Sequence, residues 1–290
     1  MGDPLDAWLP ALERRHLASL TFPEVRRALQ ALSSLYVERR RRLGTGAALD
    51  GAGKRAAFAL FYGPLHFITV RETVKALGAD RPSPARILDL GCGTGAAGAA
   101  WAVSAGGSAF VEAVDRSAWA LEEARFTFAA LRLSGATARR GLEEADLPGR
   151  RGAVVAAYAV NEMEDEGRER LLPRLLQGAG AGAAVLVVEP IARRSMPWWD
   201  EWAAAFVAAG GRADEWRFRV PLPDLVARLD RAAGLDHREL TCRSLWIARL
   251  RARTSSGRPP APPPERAAPA PRRSPGRSPR RAGPPRAVGR

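Results

Sequence analysis

Up to about residue 80, apolar positions recur at helical spacing. From about residue 86 to residue 250, short apolar runs alternate with helical stretches, and beyond Arg251 the periodicity stops. Trp8, Leu9, Leu12 and Leu17 predict a helix over 5–20. Thr21-Phe22-Pro23-Glu24 starts a second, with Thr21 as N-cap, Pro23 in the first turn and Glu24 at the capping-box position. Val25, Leu29, Leu32, Leu35 and Tyr36 mark its buried side. It ends in Arg39-Arg40-Arg41-Arg42 before Gly44, a run that suits a solvated helix end or an RNA contact. A loop from Gly44 to Gly53 precedes two more helices, 55–62 and 65–77, parted by Gly63-Pro64. Phe58, Phe61, Phe67 and Ile68 read as core, and His66 beside them as a packing residue. Residues 1–80 thus form an all-helical N-terminal region, closed by the linker Arg81-Pro82-Ser83-Pro84.

The next stretch predicts strands over 87–90, 109–114, 136–139, 153–160 and 183–188. Helices fall between them, one capped by Ser117 and running to about Leu133, another over 165–177. A helix over 196–209 carries Trp198, Trp199 and Trp202, and one over 223–233 stops at Gly234. Residues 237–241 and 244–250 read as two final strands, too close in sequence for a parallel crossover, so one pairs antiparallel. Repeated strand–helix units make an α/β parallel sheet with helices on both faces and ligands at the strands' carboxyl ends. Residues 81–252 form this second part. Residues 253–290, made of Pro, Arg, Ser, Gly and Ala, read as a disordered basic tail.

Charge changes this picture less than its total suggests. The net charge is +14, but Arg251–Arg290 holds eleven arginines and one glutamate and so carries +10 of it. The tail either captures a polyanion such as RNA or reflects coding bias in a chain rich in Ala, Gly and Pro and nearly without lysine. Two cysteines, Cys92 and Cys242, exclude a disulfide scaffold or a four-cysteine metal site and point to a reducing compartment, so the expected location is cytoplasmic. The N-terminus reads as lacking a secretory leader, and no apolar run reaches the ~18 residues of a membrane span.

The candidate chemistry lies in Arg86–Ala100, RILDLGCGTGAAGAA. Gly91, Gly93 and Gly95 stand between a strand end and a helix N-terminus, where free N–H groups favour a carboxylate or other anion. Gly93 to Gly98 also fits G-x-G-x-x-G, with Asp115 twenty residues past Gly95, the weak fingerprint of a dinucleotide site. Asp89 opposes that reading. A carboxylate at the strand end meets a pyrophosphate unfavourably but suits a cationic ligand group, and S-adenosylmethionine offers an ammonium and a sulfonium beside its carboxylate. No Tyr-x-x-x-Lys pair supports hydride chemistry, and His16, His66 and His237 with two cysteines make no zinc set.

ILDLGCGTG, then VEAVD, then the late antiparallel strand pair resemble class I S-adenosylmethionine-dependent methyltransferases over about residues 84–250. The resemblance implies a Rossmann-like seven-stranded sheet with a terminal antiparallel strand. Asp89, Gly91, Gly93 and Gly95 would hold the methionine part of the cofactor. Asp115 would accept from the ribose hydroxyls, Arg116 would flank the adenine, and Gly141-Leu142-Glu143, with Leu142 foremost, would add a further adenine contact. Asp115→Ala is then expected to weaken cofactor binding and leave the fold intact.

The acceptor is less legible. Asn161, after the fourth strand, could orient it. Glu162 could act as a base, contact the cofactor ammonium, or be a solvated acid in an acidic run. Cys242 reads as packing. In IARRSMPWWDEW (191–202), two arginines and three tryptophans suit either a stacking surface for a flipped base or core packing, and Trp216, Arg217 and Arg219 could join either. Leu35–Arg40, Gly63-Pro64-Leu65-His66-Phe67, Asn161-Glu162-Met163 and Val188-Glu189-Pro190 are similar to the mitochondrial-type small-ribosomal-subunit assembly family. That family's late cysteine set is missing here, and Ile191-Ala192-Arg193-Arg194 replaces its Gly-rich turn. The expectations are therefore a methyltransferase acting on RNA or a ribosome-associated acceptor, a small-molecule methyltransferase, or a non-catalytic assembly factor on rRNA or the small subunit.

Overall fold

The computed structural model describes residues 2–38, 49–191 and 196–248. The arginine run 39–42, most of the loop after it, Arg193 and Arg194, and the tail beyond Arg251 lie outside the described residues, as do the side chains of Leu35 and Tyr36. The described residues form one compact unit.

Two amphipathic helices open it, α1 (Leu5–His16) and α2 (Phe22–Glu38). Trp8, Leu9 and Leu12 of α1 and Val25, Leu29 and Leu32 of α2 are buried, as their spacing predicts. Glu24 reaches back to Thr21, accepting from its backbone N–H and its hydroxyl, both at 2.7 Å. The next segment departs from expectation. Helix α3 (Ala52–Ala57), a π-helical turn (Phe58–Tyr62) and α4 (Gly63–Ala76) run on without a break through Gly63-Pro64. Proline lacks an N–H and its ring crowds the preceding turn, and the wider turn just before Pro64 accommodates both demands. Gly63 serves close approach instead: a Cβ there would stand 2.9 Å from the Thr94 hydroxyl.

The sheet holds β1 (Arg86–Leu90), β2 (Phe110–Asp115), β3 (Gly135–Arg139), β4 (Gly152–Ala157), β5 (Ala184–Glu189), β6 (Arg212–Phe218) and β7 (Leu240–Ile247). Their order is β3-β2-β1-β4-β5-β7-β6. The first five are mutually parallel where they pair, and β7 runs antiparallel to both β5 and β6. This is the seven-stranded α/β sheet with a helical N-terminal region that the sequence predicts. Helices α5 (Ala96–Ser104), α6 (Ala118–Ala130), α7 (Asp165–Gly180), α8 (Trp199–Ala208) and α9 (Asp224–Ala232) cover it.

Period-two alternation sends neighbouring strand residues to opposite faces. Ile87, Val155 and Leu186 join α1–α6 and α9 in one core. Leu88, Val154 and Val187 join α7 and α8 in the other. The N-terminal helices therefore form one wall of the sheet, and Arg15 and His16 tie α1 to the buried Glu123 of α6 at 2.9 and 3.1 Å.

The C-terminal strand pair corrects the sequence reading. Residues 237–241 and 244–250 are not two strands, because β7 alone spans Leu240–Ile247, and its partner β6 lies earlier, at 212–218. Asp230 captures the His237 backbone N–H at 3.0 Å, which removes a donor a strand would need. Strand β6 is a half-exposed edge of polar and aromatic residues, so it lacks the apolar run that marks a buried strand. Strand β4 stops at Ala157 instead of continuing to Val160, since Tyr158 takes a positive φ of 58° and Val160–Glu162 form a 3₁₀ turn.

Candidate active site

The strand order reverses between β1 and β4, and in such sheets the crevice at the carboxyl ends there receives ligands. A cavity of about 1360 Å³ opens at that point. The glycine loop, the β2, β4 and β5 exits, the π turn with α4, and residues 235–241 line it.

The loop is built from backbone geometry. Gly91 and Gly93 have φ of 66° and 50°, the left-handed region that side chains resist. The Gly91 and Cys92 N–H groups donate to Val114 O at 2.8 and 3.0 Å, fastening the loop to β2. A Cβ on Gly91 would stand 2.6 Å from the Ala159 Cβ, so the β4 exit closes over the loop. Gly91 and Gly93 line the cavity, whereas Gly95 lies behind it. Its missing side chain lets α5 start against Ala124 and Phe128, where a Cβ would meet atoms at 3.0 Å.

Asp89, two residues before Gly91, is fully buried and does not itself line the cavity. Its Oδ2 accepts the Gly98 N–H at 2.8 Å, and its Oδ1 is buried with no partner. Desolvation, together with Asp115 nearby, lifts its carboxyl to about 7 against the opposing Gly98 bond. Asp115 ends β2 with Oδ2 accepting the Gly93 N–H at 3.0 Å and Oδ1 the Ser117 N–H at 2.8 Å. Burial pushes this carboxyl up as well. Arg116 turns toward Glu143, its Nη2 2.8 Å from Oε1, while Oε2 is buried without a partner. Leu142 and Glu143 face the cavity from the 3₁₀ turn after β3.

At the other side, the Asn161 backbone N–H donates to Glu189 Oε1 at 3.1 Å. Glu189, the last residue of β5, is fully buried, and its Oε2 has no partner. Desolvation raises its carboxyl to about 8, with Glu162 adding to the rise and Arg243 opposing it. Glu162 is exposed and lines the cavity, and partial desolvation by nearby protein, with Asp115 adding like charge, pushes its carboxyl up.

The sequence reading passed over a wall of rings here. Phe58, Tyr62 and His66 lie 5.9–6.1 Å apart by ring centroids, and His66 stacks on Tyr158 at 3.9 Å and 14°. Burial holds the His66 imidazole down at about 3, so it is neutral. His66 packs among these rings, as the sequence predicts, and one side of it also lines the cavity. The turn from Phe58 to His66 carries a signal: aromatic residues at 58, 62 and 66 repeat every four positions and share one helix face. His237 also reaches the cavity, oriented by Asp230 Oδ1 at 2.5 Å from its Nδ1.

Other candidates fall away from the site. Trp198, Trp199 and Trp202, at the start of α8, are buried in the second core, which rules out their use as a stacking surface. Trp216 stacks on Phe218 and donates to the Ser244 hydroxyl at 2.8 Å. Cys242 is fully buried, 3.5 Å from the Thr73 hydroxyl. Among the described residues, no group of three or more His, Cys, Asp or Glu could hold a metal ion. None of the described helices is long and apolar enough to cross a membrane.

Residues 87–179 match the family model described as a methyltransferase domain. Similar solved structures include magnesium protoporphyrin IX methyltransferase from Synechocystis PCC 6803 with bound SAM (16% identity, 80% of this chain and 99% of that chain, TM-score 0.43). N-methyltransferase NodS from Bradyrhizobium japonicum WM9, in complex with S-adenosyl-L-homocysteine, is 11% identical over 63% of this chain and 87% of its own (TM-score 0.45). An O-methyltransferase family protein from Burkholderia thailandensis is 14% identical over 73% and 62% (TM-score 0.46). No curated protein matches the chain in sequence. Residues 87–179, which carry the glycine loop, Asp115 and the β4 exit, thus match a methyltransferase-domain model, and they lie within the seven-stranded sheet that the resemblance to class I methyltransferases implies.

Proposed function

We propose that the protein transfers the methyl group of S-adenosylmethionine to a small acceptor admitted into the cavity. The observation that carries the cofactor reading is the glycine loop, whose left-handed Gly91 and Gly93 line the cavity beside Asp115, while Asp89 behind it keeps Oδ1 buried without a partner. An unsatisfied buried acceptor calls for a donor, and a cationic ligand group held directly or through water supplies one. Gly91 and Gly93 bring backbone to the ligand, Asp115 faces the cavity where a ribose would lie, and Leu142 offers an apolar face to an adenine. The cofactor supplies an electrophilic methyl on a sulfonium. The protein's share is to orient the acceptor and exclude water.

Its volume exceeds the ~300–1,000 Å³ of an ordinary ligand pocket, so cofactor and acceptor fit together. Eight carboxylate side chains but only two arginines line it, an unfavourable field for a phosphate backbone. Calorimetry of the full chain with S-adenosylmethionine is expected to show binding, and its absence would refute the reading. Transfer of tritiated methyl to fractionated metabolites, protein and RNA then identifies the acceptor.

A second reading, an RNA or ribosome-associated acceptor, draws on two observations. The tail carries +10, and the segments similar to the small-subunit assembly family place Leu65, His66, Asn161, Glu162, Glu189 and Pro190 on one cavity. In this case the arginines of the tail attract the polyanion, and RNA retention by the full chain falls steeply with salt. Binding of S-adenosylmethionine with no transfer to any fraction would instead favour the non-catalytic assembly factor.

A further inference from the structure

We infer that the acceptor lobe of the cavity is an ammonium site, formed by Glu189 and Glu162 against the ring wall of Phe58, Tyr62, His66 and Tyr158. The inference rests on the methyl-transfer reading above and names the acceptor's chemistry, an amine carried on an apolar or aromatic body.

Glu189 is fully buried at the β5 exit with one carboxylate oxygen bonded to the Asn161 N–H and the other without a partner. Glu162, one residue further along the 3₁₀ turn, raises the Glu189 carboxyl by like charge. Two carboxyl groups that repel each other, one buried and one facing solvent at the cavity, are each stabilised by a cation placed between them. Arg243, opposite Glu189 in the β5–β7 ladder, eases its ionisation in part but leaves Oε2, itself buried, unbonded.

The remaining walls suit the same ligand. Phe58, Tyr62 and Tyr158 line the cavity with rings of the kind that attract cations, and neutral His66, stacked on Tyr158, adds no opposing charge. The two cavity arginines, Arg116 and Arg170, both engage Glu143 on the β3 side and leave the acid pair unneutralised. Tyr158 holds its place at φ 58°, a conformation that costs a tyrosine about 1–2 kcal/mol and lays its ring on His66. An ammonium bound here gives one proton to a Glu162 carboxylate oxygen, which frees the nitrogen lone pair and leaves a neutral amine facing the cofactor lobe.

The test titrates the full chain, saturated with S-adenosylhomocysteine, with 2-phenylethylamine, 2-phenylethanol or 3-phenylpropionate. The amine is expected to bind at least tenfold more tightly than the alcohol, and the carboxylate not to bind. Glu189→Gln and Glu162→Gln should each weaken the amine at least tenfold while S-adenosylhomocysteine affinity stays at the wild-type value. That control also reports folding, and Glu162→Gln, at a water-exposed position, keeps the test open should Glu189→Gln fail to fold. Equal binding of amine and alcohol, or variants that bind the amine like wild type, would overturn the site, as would displacement of the amine by an RNA oligonucleotide. Failure of S-adenosylhomocysteine to bind would instead strike the methyl-transfer reading, and the same amine titration without it still tests the acid pair.

Discussion

Asp89 and Gly98, nine positions apart, are joined by a 2.8 Å bond from the Gly98 N–H to Oδ2. A Cβ on Gly98 would stand 2.9 Å from that oxygen, so the first turn of α5 packs on the carboxylate itself. Asp89→Asn can retain this bond through its amide oxygen while it removes the negative charge. We expect S-adenosylmethionine affinity to fall about ten- to hundredfold, the value of a hydrogen bond to a charged group. The melting temperature of the free protein at pH 8 should not fall, because an ill-solvated charge has been removed. Calorimetry and thermal melts check both, and unchanged affinity would remove Asp89 from the cofactor site.

Asp115 is expected to be harder to replace than the sequence suggests. Its two oxygens hold the Gly93 and Ser117 N–H groups, so it braces the loop and the start of α6 in addition to facing the cavity. Asp115→Ala should weaken the cofactor and also cost about 1–3 kcal/mol of stability through the orphaned N–H groups. Asp115→Asn, which keeps an acceptor, should lose less stability. Denaturant unfolding of the two variants measures the difference, and equal stability would show that the bracing bonds contribute nothing.

Gly91 and Gly93 share the left-handed conformation but not their surroundings. An alanine at either position pays about 1–2 kcal/mol for its φ. At Gly91 the new methyl also meets Ala159 at 2.6 Å, whereas at Gly93 the nearest atom is a Phe58 ring carbon at 3.5 Å. Gly93→Ala should therefore fold with a melting temperature several degrees lower, and Gly91→Ala should lose considerably more. Equal losses would mean that the β4 exit moves freely away from the loop.

Where one physical signal dominated, the sequence was legible. ILDLGCGTG joins an apolar run to glycines that only a tight strand–helix turn needs, and β1, the loop and α5 follow at those residues. Period-two burial and the caps at Thr21 and Ser117 were readable for the same reason. What failed were places where tertiary contacts override local preference. Gly63-Pro64 looks like a break because proline disfavours a helix interior, yet a π turn absorbs it and Gly63 admits Thr94. Strand β6 exists only because β7 pairs with it, and the Asp230 side chain delays β7 until Leu240. His66 and Glu189 could not be placed on a common cavity without the sheet order, since 123 residues of chain separate them.

Tyr158 sets stability against function. Replacing it with glycine relieves a strained φ but removes the ring stacked on His66. The expected result is a stability change within about 2 kcal/mol, as relief of roughly 1–2 kcal/mol offsets part of the lost packing. Methyl transfer should fall at least tenfold with S-adenosylmethionine affinity kept. Calorimetry alongside a transfer assay separates the two effects, and a variant with full turnover would show that the stack has no part in acceptor binding.

The buried acids make stability depend on pH with an unusual sign. Asp89 and Glu189, both fully buried, have carboxyls lifted to about 7 and about 8 by desolvation. Between the ordinary carboxylate range near 4 and those values, each keeps its proton in the folded state and has lost it in the unfolded state. The folded state then binds more protons, so stability is full below about pH 4 to 5 as far as these two groups are concerned and declines as pH rises toward 8. Carboxylates held low by ion pairs or hydrogen bonds, such as Glu123 and Glu24, act in the opposite direction and lose their contribution on acidification. The free protein should therefore melt at a lower temperature at pH 8 than at pH 6. Asp89→Asn and Glu189→Gln should each flatten that slope, and the double variant should flatten it further. A saturating cation in the acceptor lobe should restore stability at pH 8 in wild type but not in Glu189→Gln. Melting curves from pH 5 to 9 decide the matter: a wild-type profile that rises through this range would show that neither acid is held in its protonated form.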